Sequence, residues 1–105
     1  MDPLLQAILD DIRVYVGQNV REFADQVLTD SKDFLQSAKD DLQTWTAAVA
    51  RGELDQAGFE SLLRGKQDLL EMRALTEAGL AQVRVDTIRN AIIGIVIDRA
   101  LGELG

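Results

Sequence analysis

Six aspartates stand in three close pairs, Asp10/Asp11, Asp30/Asp33 and Asp40/Asp41. Paired carboxylates are the side chains here best suited to hold a cation or to divide acid and base roles. Two-metal carboxylate sites in helical bundles, however, draw a Glu-x-x-His motif from facing helices, and this chain has no His. It has no Cys either. The commonest general base, the usual zinc and haem ligands, thiolate chemistry and disulfides are therefore all missing. Ser31, Ser37 and Ser61 have no imidazole to activate them, and neither Gly58 nor Gly65 is followed by the Lys-Ser/Thr pair of a phosphate loop. We expect no catalytic, metal or cofactor-binding residues and no enzymatic activity, with the acid pairs forming a solvated face.

Charge narrows the partners. Eighteen acidic residues against eleven basic ones leave a net charge of −7. Nucleic acid binding takes most of its affinity from basic side chains on phosphates, and anionic membranes attract the same residues, so neither is expected as a partner. An apolar fraction of 47% argues for a folded chain despite the acidity. Met-Asp-Pro-Leu-Leu at the start lacks the basic region of a signal peptide, and the apolar run from Ala91 to Ile97 falls far short of the roughly 20 residues that span a bilayer. These features predict a cytoplasmic location.

The elements that would position any site read as helices throughout. Pro3 suits a first helical turn with Asp2 as its cap, and no Pro follows anywhere in the chain. Gly52 is a helix stop, and Asp55 caps a restart, with Leu54 and Phe59 at the spacing of a hydrophobic staple. The expected fold is all-α, one domain over residues 1–105: a helix over 3–51, a turn at 52–55 and a helix over 56–103. Gly79 or the 90–94 segment is the place for a break in the second helix.

The first stretch carries an 11-residue repeat. Its apolar stripe runs Leu5, Leu9, Ile12, Val16, Val20, Phe23, Val27, Ser31, Phe34, Ala38, Leu42, Trp45, Val49, and one rung is large throughout, Ile12, Phe23, Phe34, Trp45. Eleven residues over three turns keep such a stripe nearly parallel to a straight helix axis. A poorer stripe continues after the turn, with Lys66, Glu77 and Arg99 at three of its four third positions and Ile88 at the other. The expectation is a long antiparallel hairpin pairing residue i with about 107 − i, in which Ser31 faces Thr76 and Glu77.

Two helices cannot bury a segment that is apolar all round, as Ala91–Ile97 is. The hairpin is therefore expected to form a homo-oligomer, a dimeric four-helix bundle or a higher assembly, or to dock another helical protein. Gly94 would permit close approach; Lys66, Glu77 and Arg99 are expected to reach solvent at the stripe edge, the alternative being register-setting polar groups, with Lys66 approaching Glu77 of a second chain. The expected contact residues are Phe23, Phe34, Trp45, Ile88, Ile92, Ile93, Val96 and Ile97. The 11-residue spacing is also similar to that of lipid-surface helices of the apolipoprotein and perilipin type. That resemblance implies the rival reading, a phasin-like coat on lipid or polymer granules, although such helices edge their apolar face with Lys and Arg. The leading expectation is a non-catalytic structural or assembly protein.

Overall fold

Asp2 accepts a hydrogen bond from the Leu4 amide at 2.8 Å, with Pro3 in the first turn, and so opens α1, Pro3–Asn19. In the computed structural model, which describes residues 2–103, five further helices follow: α2 Ala24–Ser37, α3 Lys39–Ala50, α4 Gln56–Arg64, α5 Arg73–Glu77 and α6 Gln82–Gly102. Single 3₁₀ turns at Arg21–Phe23 and Gln67–Leu69 join them. No strand occurs among the described residues, and the fold is all-α.

Residues 3–51 do not form one helix. The chain leaves helical geometry at Val20 and again at Phe23, and α2 folds back on α1. Gly17 and Asn19 are poor helix formers, and the Asn19 side chain donates to the Tyr15 carbonyl, closing the end of α1. The break frees a few backbone groups to water, at a net cost of about 1 kcal/mol each. It lets α1 bury Leu5, Ile8, Leu9, Ile12 and Val16, each side chain contributing about 1.5–3 kcal/mol, so burial wins. A milder bend at Ala38 separates α2 from α3.

Residues 56–103 are not one helix either. The stretch from Gly65 to Ala81 is irregular apart from α5. Of the two expected breaks, the one at Gly79 is present, while α6 runs without interruption through Gly94. Gly52 and Gly79 are the two glycines with positive φ among the described residues, 75° and 87°. Each closes a helix with the same six-residue bond, Glu53 N–H to Ala48 O at 2.9 Å and Leu80 N–H to Leu75 O at 3.2 Å. A side chain with a Cβ would strain at either point. Asp55 caps α4 through the Gly58 amide at 2.6 Å, as expected from the sequence.

The pieces assemble into four antiparallel legs: α1, the bent rod α2–α3, the irregular α4–α5 leg, and α6. Gln43 donates to Asp2 at 3.1 Å, which sets the bent rod alongside α1 in the opposite direction. Lys66 pairs with Asp41 at 3.3 Å, in the register the hairpin reading expected for that turn. Arg99 meets Asp11 at 3.6 Å, and Arg84 lies near Gln18 and Asn19, so α6 runs antiparallel to α1 and closes the ring. Arg89 fastens the third leg to the fourth by donating to the Leu70 carbonyl at 3.0 Å. The longest dimension is 44 Å, too short for a hairpin of roughly 70 Å, and the radius of gyration of 13.7 Å is close to the ~13 Å of a compact chain this size.

The repeat survives inside this arrangement. From Leu5 to Leu42 every stripe position is buried except the half-buried Phe23, because the spacing stays in phase through both breaks. Ser31 is fully buried and satisfies its hydroxyl within its own helix, donating to the Val27 carbonyl at 2.8 Å.

Candidate functional site

The legs differ in length, and that difference creates two distinct ends. Gln43 sits beside the start of α1, so the last seven residues of α3 extend about 10 Å past it. Together with the start of α4 they form a two-helix tip. Phe59 and Leu63, at its base, are fully buried. Beyond them Trp45, Val49 and Leu54 are only partly buried, packed against the core from outside, and Leu62 on α4 is 42% exposed. Arg51 forks onto Glu53 across the turn at 3.0 and 3.1 Å, and this pair lowers the Glu53 carboxyl below its ordinary range. The tip thus presents an apolar surface that carries a tryptophan and is bounded by charge.

At the opposite end, where α1 turns into α2, a recess of about 300 Å³ is lined by Gln18, Asn19, Val20, Arg21, Glu22, Phe23 and, from the first turn of α6, Arg84. Val20 is buried beneath it and Phe23 half-buried. The half-buried Tyr15 phenol has its pKa raised by burial, partly opposed by the nearby Arg84 charge. A third, open hollow lies along the seam between α2 and α5, lined by Asp25, Thr29, Asp30, Arg73 and Glu77 among others. There burial and the neighbouring Asp33 and Glu71 carboxylates push Asp30 above its usual range. No group of three or more metal-ligating side chains gathers among the described residues. No described helix is long and apolar enough to cross a membrane.

Of the expected contact residues, Phe34, Ile88, Ile92, Ile93, Val96 and Ile97 lie within the chain's own core, all at most 4% exposed. The assignment of Ile92, Ile93, Val96 and Ile97 to a second chain rests on two helices being unable to bury a segment that is apolar all round. Four legs can, and that reason falls away. Phe23 is half-buried at the recess, and Trp45 remains accessible on the tip. Lys66 pairs with Asp41 within the chain. The sequence reading missed Arg21 and Arg84. Arg84 has no acid three or four residues away, which is a legible signal. Arg21 has Asp25 four residues on, and only the 3₁₀ turn removes that pairing. Comparison of the chain with known protein families, characterised proteins and solved structures finds no match.

Proposed function

We propose that this protein is a non-catalytic assembly module that self-associates through the α3–α4 tip, with a second copy covering Trp45, Val49, Leu54 and Leu62. The observation that carries the reading is the overhang: this hairpin runs beyond α1 and holds its apolar residues half out of the core. Two tips related by a two-fold axis would complete for each other the helix layer that each lacks. The rival reading, a coat adsorbed on lipid or polymer, would have to use the 11-residue stripe, whose side chains are here turned into the core.

Trp45 is the only Trp, so its emission reports on the tip alone. Sedimentation from micromolar to millimolar concentration should show a discrete oligomer, with a parallel blue shift of Trp45 emission. Replacing both Leu54 and Leu62 by Glu should return a folded monomer with unshifted emission. A wild-type chain that stays monomeric throughout, with constant emission, would overturn the proposal. So would helicity that rises only when liposomes are added.

A further inference from the structure

Six of the eight arginines have a carboxylate within 4 Å: Arg13, Arg51, Arg64, Arg73, Arg89 and Arg99. Arg21 and Arg84 make no such pair among the described residues, and these two line the same recess. In a chain of net charge −7 an arginine with no carboxylate within 4 Å is the exception, and two of them from distant segments have been brought to one recess. Lys32 and Lys39 also make no such pair among the described residues, but neither lines this recess. The Asn19 amide nitrogen is used by the Tyr15 carbonyl, which leaves its oxygen to orient a donor.

Guanidinium groups bind the paired oxygens of phosphate and carboxylate through parallel hydrogen bonds. A recess of about 300 Å³ is at the small end of ligand sites. We infer that the recess at the α1–α2 turn is a binding site for a small oxyanion, a phosphate or carboxylate group on a ligand of a few carbon atoms, held between Arg21 and Arg84. Glu22, also in the lining, sets a limit on the charge the site accepts and offers an acceptor to any hydroxyl or ammonium on the same ligand. The net negative charge of the whole molecule does not forbid binding. At physiological ionic strength charges more than about 8 Å away are largely screened, and the local balance is two cations to one anion. The site lies at the far end of α1 from the tip and owes nothing to self-association.

The test is a backbone-amide NMR titration at constant ionic strength with inorganic phosphate, with succinate and, as the screening control, with chloride. Saturable shifts confined to residues 18–23 and 82–85 are expected with phosphate, succinate or both, and the comparison of the two identifies the preferred group. Arg21→Gln and Arg84→Gln should each weaken that binding by about tenfold. Arg64→Gln, at an arginine already paired with Glu60, should leave it unchanged. Thermal melts of the three variants check that the fold persists. Shifts that spread over the whole surface as chloride's do, or that persist in the Arg21→Gln/Arg84→Gln double variant, would overturn the assignment.

Discussion

At one end of the bundle α3 and α4 run on past α1 and carry Trp45, Val49 and Leu54 half out of the core; at the other, α1 stops at Asn19 and the chain reverses beside two unpaired arginines. Both ends result from one mismatch. α1 has 17 residues, about 25 Å, while α2 and α3 together reach about 40 Å from the same turn. With the legs aligned at the α1–α2 turn, all the excess length accumulates at the other end. The aligned end gathers loops, polar side chains and helix starts, whereas the overhanging end is left with apolar surface and too few neighbours. Leg length thus sorts the chemistry of the two ends before any individual side chain does.

The sharpest way to break this contrast is to truncate one phenylalanine at each end. Phe59→Ala, at the fully buried base of the tip, should cost about 3–5 kcal/mol in urea unfolding, and Phe23→Ala, half-buried at the recess, roughly half as much. Equal costs would mean the recess end is packed as tightly as the core. Next in size are the caps. Asp2→Ala, beside the root of the tip, should lose about 1 kcal/mol at neutral pH. The Leu4 amide holds the Asp2 carboxyl below its ordinary value, so its stabilisation is present above the unfolded-state value of 3.8 and is lost as pH falls through the folded one. Melting temperatures of wild type and Asp2→Ala should therefore converge in strong acid.

Gly94→Ala is a gain. A Cβ there meets nothing within 4 Å, so the substitution should stabilise by about 0.5–1 kcal/mol in thermal melts. It should also leave the sedimentation behaviour unchanged; an oligomer disrupted by this methyl would move the contact from the tip to α6. The smallest effect belongs to the side of the bundle. Asp30, raised by burial and by Asp33 and Glu71, is destabilising while ionised, and Asp30→Asn should stabilise by at most about 0.5 kcal/mol at neutral pH. That gain should vanish as pH falls through the raised pKa and the wild-type carboxyl takes up its proton.

Much of the fold was legible in the residues. Both aspartate caps, the Gly52 reversal, the Gly79 break and the buried stripe follow from side-chain chemistry that acts within a few residues. The break at Val20 was not legible, because Val16, Val20, Phe23 and Val27 keep helical spacing across it. A periodic stripe states which residues leave water and is silent on whether the axis stays straight. For the same reason Ile92 and Val96 announced burial without naming the neighbour that provides it. Of the two ends, the tip was half legible through Trp45. The recess was hidden, since Arg21 and Arg84 meet only when the ring of helices closes.

That closure bears on the order in which the chain should fold. The α1–α2 and α3–α4 reversals join helices adjacent in sequence, and their loops are short and cheap in chain entropy. The seam between α1 and α6, fastened by Asp11 and Arg99, must instead bring together the two most distant helices of the chain. By chain entropy the two hairpins should form before that seam, which makes α6 the helix on which both the completed core and the Arg84 wall of the recess are expected to wait.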